Sequence, residues 1–449
     1  MKKFCIVLWL VFLLTNCDKD ADYDKTKAVS AFVQIDPLQI DKALEKVEMK
    51  LPPQKRNLFW SGSASLQNQS IENFEKNFSI TERGFFKKVK EISFKKSSPL
   101  WFFYSGDIDD HFVFAPVIKN EKVFVLDTAG VLSAYDLVSE KKIWKSQIFK
   151  KSFLKNYHTP KISYADGKIF CIAGVNKIAA ANQSDGKVLW SKEIAAIPVS
   201  TPVSDGKSLY VSTNDNKLYA FDAISGELLW VQAGIARPTA ILGAADLVIY
   251  KDLVIASYSS GEIYAVNKKT GEPLWSQDLN INKATTSDFY LNDVDATPVV
   301  KDDVIYAIGN GGLMKAISIK DGNYLWKKQI AGITDFWLAD EFLFVINNDN
   351  KLLAISRKTG GIKWISQLPH LKKEKKPQTK FIYSGLVMAG DKLLVSRADG
   401  ELLIISPFDG KLEKTFEFGK KISHSPVVIN NKIYLHAIGK YIIDLIEIE

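Results

Sequence analysis

Acidic and amide side chains gather near residue 293, where their chemistry would suit a hard metal ion. Asn292, Asp293 and Asp295 lie close together, and Asn310 follows further along the chain. Carboxylate and amide oxygens are the ligands that Ca²⁺ takes in proteins. Asp and Asn also serve the turns of β-rich chains, which is the more common use. The sequence therefore predicts no metal and no cofactor.

Other residue types with catalytic potential form no recognisable site. The three cysteines, Cys5, Cys17 and Cys171, are too few for a disulfide scaffold, and five scattered histidines show no close metal-ligand spacing. GxSxG, HExxH and P-loop patterns do not occur in the sequence. We predict no catalytic residues. Cys171 alternates within an apolar strand and is interpreted as a buried, unreactive thiol.

Composition and charge indicate a globular protein. Of the 449 residues 46% are hydrophobic and 24% are charged. The net charge of +8 is spread along the chain, which is mild for this length, so nucleic acid is not a predicted partner.

The first residues have the features of an export signal. Lys2 and Lys3 precede an apolar run over residues 4–14, which is too short for a membrane span, and Cys17 follows. This segment resembles the bacterial lipoprotein signal, which implies a signal peptide over residues 1–16 and a lipidated Cys17. An ordinary secretory signal that happens to contain a cysteine is the alternative.

Residues 17–57 are predicted to form the lipid anchor and a tether. The charged stretch from residue 18 lacks glycine up to residue 56, and Ile40, Leu44, Val47 and Leu51 could form one helical stripe. A flexible tether of this length would reach about 130 Å when fully extended. The stripe could instead dock on the folded domain or on a partner.

A repeat organises the rest of the chain. Six tryptophans each follow an alanine by ten residues: Trp144, Trp190, Trp230, Trp275, Trp326 and Trp364. Glycine stands four residues before Trp in five of the six copies, where a tight turn between strands would need a positive φ, and Glu140 is the exception. A Pro followed by a short strand ending in an aromatic residue precedes most copies. Each unit is therefore predicted to be a set of antiparallel strands.

The spacing of the repeats predicts a β-propeller of eight blades. Successive tryptophans lie 46, 40, 45, 51 and 38 residues apart. A seventh copy has Ile404 and Lys414 in place of Ala and Trp, and an eighth begins at residue 425 but lacks its last strand. We predict that residues 85–94 supply that strand and close the ring, so that residues 58–449 form one all-β propeller.

The tryptophans have two interpretations. A stacking platform for nucleic acid or sugars would expose them on one face. A structural role would place each indole over the neighbouring blade, with its N–H bonded to backbone and a small alanine where the strands crowd. One Trp per blade at one turn position favours the structural role.

The segment from Ala220 to Trp230 resembles the tryptophan-docking repeat of the pyrroloquinoline-quinone (PQQ) type propeller superfamily. That superfamily contains quinoprotein dehydrogenases and the non-enzymatic BamB family. The stretch over residues 291–300, with Asp293 and Asp295 before Thr297-Pro298, is similar to the BamB pattern. The absence of an adjacent Cys pair, the moderate length and the lipoprotein-like signal favour the same family.

The resemblance implies an outer-membrane protein assembly scaffold at the periplasmic face of the bacterial outer membrane. Its partner would be BamA, through a POTRA domain, within the β-barrel assembly complex, and nascent outer-membrane proteins are a further candidate partner. The partner-binding residues would be Ile241, Leu242, Asp293 and Asp295. The alternative for these aspartates is that they cap the turn before Thr297. Alternative functions are a PQQ-dependent oxidoreductase and a generic periplasmic binding propeller. Asp18 after the lipidated cysteine leaves inner-membrane anchoring open.

Overall fold

The computed structural model describes residues 38–61, 73–74, 89–92, 116–127, 130–139, 141–150, 160–173, 176–235, 245–281, 293–369, 380–418, 421–422, 424–437 and 441–445. These residues form eight sheets, one per predicted blade, with one short 3-10 helix. The all-β propeller predicted from the repeat is confirmed. In the described part of the chain, no helix is long and apolar enough to cross a membrane.

The N-terminal part contributes η1 (Lys42–Leu44), β1 (Gln54–Lys55), β2 (Phe59–Ser61), β3 (Asn73–Phe74) and β4 (Val89–Ile92). Blades 1 to 4 comprise β5 (Val117–Lys119), β6 (Lys122–Leu126), β7 (Val131–Asp136) and β8 (Lys142–Gln147); β9 (Lys161–Ala165), β10 (Lys168–Ala173), β11 (Lys177–Asn182) and β12 (Val188–Glu193); β13 (Val203–Ser204), β14 (Ser208–Ser212), β15 (Lys217–Asp222) and β16 (Leu228–Ala233); and β17 (Val248–Tyr250), β18 (Leu253–Ser257), β19 (Glu262–Asn267) and β20 (Pro273–Asp278). Blades 5 to 8 comprise β21 (Val299–Lys301), β22 (Val304–Ile308), β23 (Leu313–Ser318) and β24 (Tyr324–Gln329); β25 (Trp337–Ala339), β26 (Phe342–Ile346), β27 (Lys351–Ser356) and β28 (Ile362–Gln367); β29 (Tyr383–Ala389), β30 (Lys392–Arg397), β31 (Glu401–Ile405) and β32 (Leu412–Glu417); and β33 (Val427–Ile429), β34 (Lys432–Ala437) and β35 (Tyr441–Leu445).

In blades 2 to 6 the four strands pair antiparallel in chain order, with the first strand as the inner edge and the fourth as the outer edge. In blades 1 and 7, N-terminal strands pair with the first strand of the blade. The first hairpin of several blades has a two-residue turn with both φ angles positive, as at Asn120–Glu121 and Asp302–Asp303. Such turns match the right-handed twist of the strands that they join, and Asn and Asp tolerate the conformation. Buried apolar clusters lie between adjacent blades.

Blade 8 combines strands from both parts of the chain. Its strands β33, β34 and β35 are joined by β4, which pairs antiparallel with β35 in a register that places Ile92 opposite Ile442 and Val89 opposite Leu445. Strand β4 lies within residues 85–94, the segment predicted to supply this strand. Closure of the ring by this strand stays a prediction.

The segment from Gln39 to Ser61, here called the N-terminal strap, contacts four blades in turn. Ile40 forms a parallel bridge with Ile362 on the outer strand of blade 6, and the Asp41 N–H donates to the Ile362 carbonyl at 2.7 Å. Strand β1 pairs with β3, which pairs with the inner strand of blade 7. The Asn57 side chain donates to the Val428 carbonyl of blade 8 at 2.8 Å, and β2 pairs with the inner strand of blade 1.

The strap differs from the tether expected over residues 17–57. From Gln39 onwards the chain belongs to the same compact unit as the propeller, and Met49 is buried in its core. Lys363 Nζ donates to the carbonyls of Leu44 and Val47 at 2.9 and 2.6 Å, which holds the turn that follows η1. Docking on the domain, the alternative left open for the apolar stripe, therefore describes residues 39–57. Residues 17–37 lie outside the described residues.

Candidate functional site

The six repeat tryptophans join each blade to the next. Each Trp lies opposite its alanine across the third and fourth strands, as Trp230 does with Ala220, and all six alanines are fully buried. Each indole N–H donates to a carbonyl of the following blade. The acceptors are Gln183 for Trp144 (3.2 Å), Ala223 for Trp190 (3.2 Å), Lys268 for Trp230 (3.2 Å), Ile319 for Trp275 (3.0 Å), Arg357 for Trp326 (2.8 Å) and Pro407 for Trp364 (3.0 Å). These bonds are the ones that the structural interpretation of the tryptophans predicts.

The turn glycines are required for two reasons. Gly226 and Gly271 have φ angles of +73° and +78°, as the sequence predicts for a tight turn. A Cβ atom on Gly226 would also lie 2.6 Å from the Trp190 ring of the preceding blade, and one on Gly271 would lie 2.7 Å from Trp230. Glycine therefore makes room for the docking indole as well as for the turn.

Two departures from the repeat have one explanation. Lys414 replaces Trp in blade 7, and the following blade has no turn between its third and fourth strands, because β35 and β4 come from distant parts of the chain. Glu140, which lies outside the described residues, replaces Gly in blade 1. In the preceding blade Lys90, opposite Asp444, has the Trp position. Trp and Gly are thus kept or lost together at each junction.

A row of polar residues links the inner ends of blades 3 to 6. We call Thr201, Asp246, Thr297 and Asp335 the inner girdle. The Thr201 N–H donates to Asp246 Oδ1 at 2.8 Å, the Asp246 N–H to Thr297 Oγ1 at 3.1 Å, and the Thr297 N–H to Asp335 Oδ1 at 2.7 Å. Each bond satisfies a backbone N–H next to an inner strand and fixes one blade to its neighbour.

The predicted partner-binding aspartates lie beside this girdle. Asp293 is only 3% exposed, and its carbonyl accepts the Asn310 N–H at 3.0 Å. Asp295 is half-buried, and its Oδ1 has no hydrogen-bond partner among the described residues. Burial, with the charges of Asp293 and Asp335 nearby, raises the pKa of Asp295 to about 6. Capping of the turn before Thr297 was the alternative role for Asp293 and Asp295. In the structure Asp335 accepts the Thr297 N–H.

Burial likewise raises the pKa of Asp335 to about 6, and the hydrogen bond from the Thr297 N–H opposes that rise. Asp246 also contributes to raising it, whereas Lys161, a residue of blade 2, lowers the pKa of both Asp335 and Asp295. Blades 4, 5 and 6 therefore contribute carboxyl groups, and blade 2 a lysine, to one charged region at the inner edge of the propeller.

Asp246 and Asp335 were not among the residues predicted from the sequence. A signal was available, because all four girdle residues stand two positions before the first strand of their blades. Threonine and aspartate alternate at this repeat position, and each pair forms a donor and acceptor across one junction.

The candidate Ca²⁺ ligands do not assemble in the described part of the chain. Asn310 Oδ1 accepts a hydrogen bond from Asn348 Nδ2 at 2.7 Å, and Asn292 lies outside the described residues. Among the described residues, no three or more His, Cys, Asp or Glu side chains form a group that could hold a metal ion.

The remaining predicted residues are divided between the core and the part of the chain that is not described. Cys171 is fully buried, and burial raises the pKa of its thiol, which agrees with the prediction of an unreactive cysteine. Cys17, Ile241 and Leu242 lie outside the described residues.

Comparison with known proteins identifies the family. The model of the family described as outer membrane protein assembly factor BamB matches residues 128–366, which is more than half of the chain. The chain belongs to the BamB family. The BamB of Yersinia pestis is 28% identical over 236 residues, which cover 51% of this chain and 60% of that protein. The BamB of Escherichia coli K12 is 24% identical over 234 residues, covering 49% of this chain and 57% of that protein. The chain thus spans about 60% of the length of these relatives.

Solved structures share the propeller fold. BamB from Moraxella catarrhalis has a TM-score of 0.63 at 18% identity, covering 75% of this chain and 96% of that structure. A europium-containing methanol dehydrogenase has a TM-score of 0.62 at 12% identity, covering 84% of this chain and 90% of that one. At these identities the likeness extends to the fold alone, and the BamB assignment depends on the sequence match.

Proposed function

We propose that the chain is a non-enzymatic scaffold lipoprotein of the β-barrel assembly machinery and that it binds BamA. The observation that carries this proposal is the BamB family match over residues 128–366, which extend from blade 1 to blade 6. The relatives are named as outer-membrane protein assembly factors, and the function comes to this chain from them. A lipid on Cys17 would hold the propeller at the periplasmic face of the outer membrane.

The proposed partner surface includes Asp295, in the segment before blade 5, and takes in Ile241 and Leu242 as the family resemblance implies. Asp295 supports this choice because its buried Oδ1 lacks a hydrogen bond in the described part of the chain. An unsatisfied buried carboxylate oxygen costs free energy, and a donor from a partner would recover part of it. Asp293 supports the surface differently, since its buried side chain and bonded backbone hold the segment in place.

The test is co-purification with BamA from the same organism. Asp295→Asn keeps the shape of the side chain and removes its charge, and we expect it to weaken BamA binding several-fold. Leu242→Ser should weaken it further by removing apolar contact. Asp252→Asn, at an exposed turn of blade 4, is the matched control and should bind normally.

Melting temperatures measured in parallel separate lost contacts from lost folding. This surface would be ruled out if Asp295→Asn and Leu242→Ser both retained as much BamA as the unaltered chain. Failure of the unaltered chain to bind BamA would rule out the scaffold function itself.

A further inference from the structure

The outer strand of blade 3 lacks the protection that other outer strands carry. Strand β16 reads Leu-Leu-Trp-Val-Gln-Ala and contains no charged residue. The other outer strands of the described part each contain at least one: Lys142 in β8, Lys192 in β12, Asp278 in β20, Lys327 in β24, Lys363 in β28, Glu413 in β32 and Lys90 in β4. Charges on edge strands normally prevent unwanted pairing with other chains.

The side chains of this strand form an apolar surface. Leu228, Leu229 and Val231 are 53%, 50% and 42% exposed, and Ile224 before the strand and Ile235 after it are exposed as well. Five large apolar residues are thus exposed within twelve positions, whereas isolated exposed apolar residues would need no explanation.

The polar side chain of the strand is turned inward. Gln232 is buried, and its Oε1 accepts a hydrogen bond from the Tyr258 hydroxyl of blade 4 at 2.5 Å. Its Nε2 donates to the Ala233 carbonyl at 2.6 Å. No polar side chain of β16 therefore faces solvent.

The edge of this strand is open. Strand β16 ends the order β13-β14-β15-β16, so within the described residues no strand pairs with its outer side. The outward N–H and C=O groups of an edge strand are a template for an additional strand.

Blade 6 shows how this propeller fills such an edge. There the strap reaches β28 at Ile40, which is bridged to Ile362, and the Asp41 N–H is bonded to the Ile362 carbonyl just before η1 begins. Lys363, the charged residue of that strand, is bonded to strap carbonyls. One backbone position of this outer edge is thus paired with another segment of the chain.

We propose that the outer edge of blade 3, Leu228–Ala233, binds an extended, uncharged segment of a partner protein as an added β-strand. The open backbone selects an extended conformation, and Leu228, Leu229 and Val231 select apolar side chains. A charged segment is disfavoured because its charges would lose solvent beside these residues without an opposite charge on the strand. The proposal is independent of BamA binding.

The experiment uses the full chain with Cys17→Ser and a labelled peptide of alternating valine and threonine, with lysines beyond glycine spacers at its ends. A second peptide of the same composition has proline in the centre, which removes a backbone donor and the strand conformation. Fluorescence anisotropy measures affinity, and hydrogen exchange measures protection of the amides of residues 228–233.

We expect saturable binding of the first peptide and new protection of alternate amides in β16. Leu229→Lys should weaken binding at least tenfold. Leu274→Lys is the matched control, because Leu274 also precedes a docking Trp in an outer strand and is 51% exposed. It should change affinity less than twofold. If Leu229→Lys has a lower melting temperature than the unaltered chain, Leu229→Ser replaces it as the test variant.

Equal binding of the proline peptide, equal weakening by Leu274→Lys, or binding without amide protection would each overturn strand addition at blade 3. Dimerisation of the chain that Leu229→Lys abolishes, with no peptide bound, would also overturn it, because the edge would then serve a second copy.

Discussion

Two carboxyl groups, those of Asp335 in the inner girdle and Asp295 beside it, differ in their hydrogen bonds but share a raised pKa. Asp335 fixes blade 6 to blade 5 through the Thr297 N–H, and Asp295 stands beside it with an unbonded oxygen among the described residues. Burial raises the pKa of each to about 6, against 3.8 for an ordinary aspartate. The native state therefore loses free energy when these groups ionise.

The sign of the resulting pH dependence follows from the raised pKa. Between about pH 4 and 6 the folded chain binds more protons than the unfolded chain, so the free energy of unfolding falls as the pH rises. We expect Asp295→Asn to flatten this fall and to stabilise the protein at pH 7.5 by up to about 3 kcal/mol. Thermal melts from pH 3.5 to 8 provide the measurement, with Asp252→Asn as control. A variant less stable than the unaltered protein at pH 7.5 would contradict this account.

At the scale of elements, the sequence predicted what the repeat encodes locally. The Ala and Trp of one unit and the Gly of the next meet across every intact junction, and their spacing is visible in the chain. The strap and the inner girdle could not be predicted in the same way. Lys363 and Leu44 are separated by 319 positions, and Asp246 is recognisable only once the inner strands are aligned. Such contacts depend on which blades become neighbours.

The docking of Trp on Gly can be tested with a matched pair of glycines. Gly271 and Gly167 have φ angles of +78° and +73°, but a Cβ atom on Gly271 would clash with Trp230, whereas one on Gly167 would have nothing within 4 Å. Alanine should cost about 1–2 kcal/mol at Gly167 through backbone strain. Gly271→Ala should cost about 1–3 kcal/mol more through overpacking.

Urea unfolding of both variants measures the difference. Combining Trp230→Ala with Gly271→Ala tests the origin of the extra cost. The double variant should lose less stability than the sum of the two single variants, because the clash between Cβ and indole is then absent. Equal losses of stability at the two glycines would show that the ring contact contributes nothing.

For the whole molecule, the family assignment explains the propeller but leaves its attachment to be tested. We predict that Cys17 carries a lipid and that this lipid holds the protein in the membrane fraction, since each buried acyl CH₂ contributes about 0.8 kcal/mol. Cys17→Ser should release the protein into the soluble fraction after a carbonate wash. Cys5→Ser is the control and should stay in the pellet. Retention of the Cys17 variant in the pellet would exclude lipidation as the anchor.

The N-terminal strap has a mechanical consequence for such an anchor. The chain is fixed to blade 6 from Ile40 onwards. The number of residues between Cys17 and Gln39 therefore limits the distance between anchor and propeller to about 75 Å, less than a free segment up to residue 57 would allow. Tension on this anchoring segment would act first on the bridge between Ile40 and Ile362 and on the two hydrogen bonds from Lys363. Separation of the strap from blade 6 would lengthen the segment between the anchor and the propeller, while the pairing of β2 with blade 1 would still hold the chain. The contacts on blade 6 would therefore break under tension before the strands of the propeller are pulled apart.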